Sequence, residues 1–215
     1  MALGTYSQLK TAIETWMARS GDTEISGNSA DLVTLAEDRL NRDLPLRVNY
    51  TDGVLTGTAG LRTLTLPSDF YEPVALWLTT FGTRDMLTPY IPGNVEADTT
   101  SGTPQAWGVN GTNIDLDVLC DQAHTFLFRY RKSFALSDSA TTNWLLTNHP
   151  ALYLQACLFE AEMLAKDFEA AAVRNQIVES MIEKIAWKDA RSLALAPLMI
   201  DPALAGYDGF NINTG

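Results

Sequence analysis

The residues best suited to chemistry fall in one stretch: Asp115 and Asp117, two carboxylates one residue apart, followed by His124. Such a set could hold a divalent cation, or divide acid and base work between a carboxylate and an imidazole. Its context offers a simpler origin. Ile114, Leu116 and Val118 alternate with Asn113, Asp115 and Asp117, the period-two pattern of a half-buried strand, which predicts both aspartates on the wet face. The run also lacks the glycine and the closing glutamate of a calcium loop. His149 stands directly before Pro150 and reads as the cap of a helix start. Cys120 and Cys157 form no CxxC and are expected as thiols, Cys157 as packed core within an apolar helix. There is no phosphate-cradling glycine loop, G-x-S-x-G elbow, H-E-x-x-H or paired-cysteine zinc signature. A ligand- or metal-binding enzyme module using Asp115, Asp117 and His124 stands as an alternative only; no enzyme activity and no cofactor are expected.

The elements around these residues are organised by the stretch Thr141 to Asp167. Pro150 suits the first position of a helix and pushes His149 out of helical geometry, so a helix is predicted from Pro150. Leu152, Ala156, Phe159 and Met163 share one face, while Tyr153, Leu154, Cys157, Leu158 and Leu164 fill much of the rest. A helix apolar nearly all round is buried on several sides, in part against a second copy of the chain. Before it, residues 5 to 48 read as two short amphipathic helices. The first is capped by Thr5 and Gln8, carries Leu9, Ile13 and Trp16, and ends at Gly21 and Asp22. The second starts near Asn28 or Ser29, carries Leu32, Leu35 or Ala36, and Leu40, and stops before Pro45. After it, a break near Lys166-Asp167 leads to a long helix through Trp187 with Val173, Ile177, Met181 and Ile185 on one stripe.

Residues 49–135 change to alternation, with strands at Thr63–Leu66, Val74–Thr79, Gln105–Val109, Asn113–Val118 and Thr125–Arg131, and an Asn110-Gly111 hairpin. The expected fold class is α+β: a helical bundle drawn from both ends of the chain, an inserted small antiparallel β-sheet or barrel, and an extended C-terminal arm. The parts are 1–48 and 136–190 for the bundle, 49–135 for the insertion and 191–215 for the arm. Asn94 to Thr103 is expected as an exposed loop. Pro197, Pro202, Gly206 and Gly209 rule out a continuous helix in the arm, yet Leu198, Met199, Ile200, Leu204, Tyr207 and Phe210 suit a docking segment rather than a solvated tail. The five tryptophans, Trp16, Trp77, Trp107, Trp144 and Trp187, read as core and interface anchors.

Bulk properties narrow the function classes. The 215 residues can bury a core without metals or disulfides, and hydrophobic content of 46% with 19% charged residues is ordinary for a folded protein. A net charge of −11 with scattered Lys and Arg argues against a protein that grips nucleic acid, but not against a surface that DNA slides past. No leader pattern and no run of roughly 18 apolar residues appears, so a soluble protein made in the cytoplasm, without a membrane partner, is expected.

The segments TYSQLKTAIETWMAR (5–19), DLVTLAEDRLNRDLPLR (31–47), LPSDFYEPVALW (66–77) and the run from Phe126 to Asp167 resemble the head-to-tail adaptor, or connector, proteins of tailed bacteriophages. Leu35 to Arg42, Leu66 to Phe70 and Thr142 to Pro150 are the most specific parts. The resemblance implies a virion protein of the phage neck, made in the host cytoplasm. It would be a ring of about twelve copies below the portal that continues the DNA channel towards the tail. Its implied partners are the portal, a tail or nozzle protein, and itself; DNA would pass through the lumen without sequence-specific binding. On this reading Leu198, Met199, Ile200, Leu204, Tyr207 and Phe210 hold the portal. Trp16, Trp144, Tyr153, Leu154 and Leu158 contact neighbouring subunits, and Asn94, Glu96 and Asp98 face the tail. A tail-completion or tail-tube protein of the same particle is the other reading, disfavoured because a tube protein should be mostly β.

Overall fold

A computed structural model describes residues 3–18, 22–80, 82–92 and 100–194. Thr5 opens the first helix by accepting from the Gln8 amide at 3.3 Å, and Gln8 Oε1 reaches back to the Gly4 amide at 2.8 Å. The capping box forms with its return bond one residue earlier than the motif places it. Helix α1 (Tyr6–Trp16) stops ahead of Gly21, where Ala18 turns left-handed at φ 54°. Asp22 does not end α1 but caps the next helix, accepting from the Glu24 amide at 2.9 Å. Helix α2 (Thr23–Asp43) therefore begins ahead of Asn28. It runs through Gly27 because Ile25, Ser29, Leu32, Ala36 and Leu40 bury one continuous face.

Among the described residues ten short strands follow, against the five placed by alternation: β1 (Tyr50–Thr56), β2 (Thr63–Thr65), β3 (Phe70–Leu78), β4 (Asp85–Met86), β5 (Thr88–Pro89), β6 (Ser101–Gly102), β7 (Ala106–Asn110), β8 (Asn113–Leu116), β9 (Leu119–Cys120) and β10 (Thr125–Lys132). They form two four-stranded sheets, ordered β1-β10-β3-β4 and β2-β8-β7-β5, and the pair β6-β9. Pairing is antiparallel except for β5 with β7 and β6 with β9, which run parallel. The second of these corrects the exposed-loop reading of Asn94 to Thr103 at its far end only, since Ser101–Gly102 is a strand held by Leu119–Cys120, while residues 94–99 lie outside the described residues. In the β7–β8 hairpin, Asn110 lies opposite Asn113 and Gly111 takes the first loop position at φ 60°, a conformation that suits glycine. Val74 leaves the alternation and is exposed. The register steps from Ala75 opposite Arg129 to Pro73 opposite Tyr130, so a bulge leaves Val74 unpaired and bends the strand outward.

The chain then returns to helix in α3 (Trp144–Asn148), α4 (Pro150–Leu164) and α5 (Phe168–Ala194). Pro150 is the first residue of α4, as its chemistry requires. His149 occupies the cap position, but its side chain makes no capping bond, correcting that part of the reading. Lys166 at φ 60° breaks the chain between α4 and α5. One apolar cluster joins Leu9, Ile13, Leu32 and Leu40 to Leu145, Leu152, Tyr153, Leu158 and Val178. A second joins Leu76, Trp107, Ile114, Leu116, Phe126 and Phe128 within the sheets.

A polar joint links the end of α2 to the strand leaving the sheet. The Asn41 side chain donates to the Phe134 carbonyl at 3.0 Å and accepts from the Phe134 amide at 2.6 Å. Arg131, itself buried, donates to the Asn41 carbonyl at 2.9 Å and pairs with Glu72 at 3.0 Å. Asn41→Leu strands a buried amide and a buried carbonyl at once, each costing about 1–3 kcal/mol. A urea midpoint lowered by a loss of about 3 kcal/mol is the expected result, and a variant as stable as the parent would contradict this account of the joint.

Candidate assembly surfaces

The structure does not bring Asp115, Asp117 and His124 into one site. Asp115 is buried, not on a wet face, and accepts from Asn110 Nδ2 at 2.8 Å. The reason lies opposite it in β7, where Gly108 leaves room for the Tyr90 carbonyl and the Pro92 ring to cover that side of the sheet. Asp117 accepts from the Gln105 amide at 3.1 Å. His124 is wholly buried, with Nε2 2.6 Å from Asp121 Oδ1 and Nδ1 3.2 Å from Thr80 Oγ1. Among the described residues no three of His, Cys, Asp or Glu gather as a metal site would need. Cys120 and Cys157 are buried free thiols, and burial raises both above the usual thiol range.

The expected subunit contacts divide into two groups. Tyr153, Leu154 and Leu158 lie inside the chain's own core, so the expectation that they face a neighbour is corrected. The all-round apolar character of α4 is satisfied within one chain, because α1, α2, α3 and α5 all pack on it. The Tyr153 hydroxyl donates to Glu37 and accepts from Asn143 Nδ2 at 3.2 Å, which ties α4 to α2 and to the turn before α3. Trp16 and Trp144 are exposed. Trp144 packs beside the His149 ring, 5.5 Å between centroids, at the mouth of a groove that Leu46, Ile185 and Lys188 also line. Burial and the nearby Lys188 lower the His149 pKa below the usual imidazole value. The arm residues Leu198, Met199, Ile200, Leu204, Tyr207 and Phe210, and the loop residues Asn94, Glu96 and Asp98, lie outside the described residues.

Helix α5 carries the surface that spacing misread. Val173, Ile177, Met181 and Ile185 were expected on one stripe, but steps of four residues overshoot a helical turn by about 40° each. The row therefore winds from the exposed Val173 and Ile177 to the partly buried Met181 and Ile185. The inner face is Ala171, Val178 and Ile182. Phe168 and Trp187 are also exposed on this helix, and Leu35 is exposed on α2. The signal was present in the sequence as an apolar excess on α5 too wide for one partner.

Residues 4–200 match the family described as SU10 adaptor protein. The chain belongs to that family, which bears out the resemblance to phage head-to-tail adaptors. No curated protein matches the chain. Among the described residues no helix is long and apolar enough to cross a membrane.

Proposed function

We propose that the chain is a structural, non-enzymatic adaptor that forms a ring below the portal, joins phage head to tail and continues the DNA channel. The observation that carries this reading is the family match over residues 4–200, nearly the whole chain. Physical chemistry supports it in two ways. A ring subunit presents two different surfaces, one to each neighbour, and α5 and α2 offer exposed apolar residues on separate faces. A net charge of −11 with scattered Lys and Arg fits a channel that DNA passes without being gripped. Trp16 and Trp144 remain as contact residues, Leu198 to Phe210 as the arm that holds the portal, and Asn94, Glu96 and Asp98 as the surface that meets the tail. The virion neck is the place this implies.

Native mass spectrometry and negative-stain imaging test the proposal on the full chain, alone and mixed with a portal. The expected result is a closed ring, with or without the portal present. A chain that stays monomeric and does not bind portal would end the adaptor reading.

A further inference from the structure

Two flanks of α5 differ in character at the same height along the helix. On one, Val173 and Ile177 are 60% and 41% exposed and lie in line with Met181, with Gln176, Ser180 and Lys184 on the same surface. On the other, Asn175 and Glu179 border a trough between α2, α4 and α5, floored by Leu35 and Phe159, with Leu35 51% exposed. Asn175 and Glu179 follow Val173 and Ile177 by two residues, about 200° round the helix and about 3 Å along it. Stripe and trough therefore face opposite ways with almost no axial offset.

Their charges are complementary. The trough is bordered by the carboxylates Asp38, Asp43, Glu160 and Glu179 against the guanidinium groups of Arg39 and Arg42, a net excess of two negative charges. Arg39 and Arg42 are themselves engaged, with Asp43 at 3.6 and 2.9 Å respectively. Among the described residues, by contrast, Lys184 has no ion-pair partner. The Phe159 ring floors the trough beneath the Arg39 guanidinium, 4.9 Å away.

We infer that the occupant of the trough is the α5 stripe of a second copy of this chain: Val173 and Ile177 of one subunit pack on Leu35 and Phe159 of the next, with Lys184 set towards the acidic rim. The inference rests on the ring reading above and names its joint. The two surfaces differ, so the contact is heterologous. A heterologous contact closes into a ring when its rotation closes without rise, which is the geometry the ring reading requires of this joint. Leu35 gains an apolar cover beside the Arg39–Phe159 stack, and Lys184 offsets part of the acidic excess of the rim.

Cysteine pairing tests the joint, since Cys120 and Cys157 are buried and leave introduced thiols as the reactive ones. A Leu35→Cys chain and an Ile177→Cys chain are mixed under mild oxidation, in the conditions where the unsubstituted chain forms its ring. The expected product is a covalent dimer containing one of each, while the doubly substituted chain gives a ladder up to the ring size. A second arm uses Val173→Asp with Ile177→Asp, which should weaken assembly roughly tenfold or more at unchanged monomer melting, both sites being exposed. A ring that forms without the mixed dimer, a Leu35→Cys chain that dimerises with itself, or full assembly of the double aspartate variant would overturn the joint and leave the ring reading standing. An unsubstituted chain that forms no ring with or without portal removes the ring reading itself.

Discussion

Replacing Arg174 by methionine should lower the unfolding free energy by about 3 kcal/mol, because it leaves the Glu162 carboxylate buried without its cation. Glu162 lies between α4 and α5 and is 4% exposed. Arg174 meets it from the facing turn of α5, with Nε donating to Oε1 at 2.9 Å and a second guanidinium nitrogen donating to the same oxygen. Nη1 continues to Gln155 Oε1 at 2.8 Å, so one guanidinium fixes two turns of α4. Methionine fills similar volume, which separates the electrostatic loss from a packing loss. Glu162→Gln in the same chain should recover most of the stability by removing the stranded charge. Urea unfolding of the two single variants and the double variant closes the cycle. A single Arg174→Met variant within about 0.5 kcal/mol of the parent would show the pair to contribute no more than a surface ion pair does.

That pair shows what sequence pattern could and could not reach. Local backbone chemistry was legible: Pro150 started α4, Thr5 and Gln8 capped α1, the Asn110-Gly111 step made a hairpin, and the Lys166 break separated α4 from α5. Each of these depends on a few neighbouring residues. What escaped depends on residues far apart. Asp115 was placed in water by alternation, since alternation cannot see that Tyr90 and Pro92 close over the Gly108 side of the sheet. Tyr153, Leu154 and Leu158 were given to a neighbouring subunit because the number of helices the same chain packs around α4 is a tertiary fact. The strand pairs β5-β7 and β6-β9 are two residues each, too short for periodicity to register. The stripe of Val173, Ile177, Met181 and Ile185 was drawn by counting fours, where the helix turns by 3.6, so its winding from exposed to partly buried was not visible. Val173 and Ile177 are also the informative part of that row, because apolar residues outside a filled core are those left for a partner.

The carboxyl of Glu37, in the helical core, should contribute a loss of stability as pH rises from about 4.5 to about 7. Glu37 is 7% exposed on α2, and burial pushes its pKa from 4.5 up to about 7. The donated Tyr153 hydroxyl and the Leu136 amide oppose that rise, and the neighbouring Asp38 charge adds to it. Tyr153 is itself held well above the usual phenol range by burial and by Glu37, so it stays a donor throughout. Below about 4.5 the carboxyl is protonated in both folded and unfolded chains and contributes nothing to the pH slope. Between the two values the folded chain keeps a proton that the unfolded chain has released, so each step up in pH favours unfolding. Above about 7 the cost is constant, at about 3 kcal/mol from the size of the shift. His149 works the other way, its lowered pKa favouring the folded chain as pH rises up to the usual imidazole value, while Glu160, raised by burial, works with Glu37, so the unsubstituted protein alone does not isolate one group. The difference between Glu37→Gln and the parent isolates the carboxyl. It should grow in favour of the variant across this window and then level off, as read from urea midpoints at half-unit steps from pH 4.5 to 8. A difference that stays flat or shrinks with pH would mean that Glu37 is ionised in the folded core and that the Tyr153 hydroxyl and Leu136 amide suffice to hold its charge.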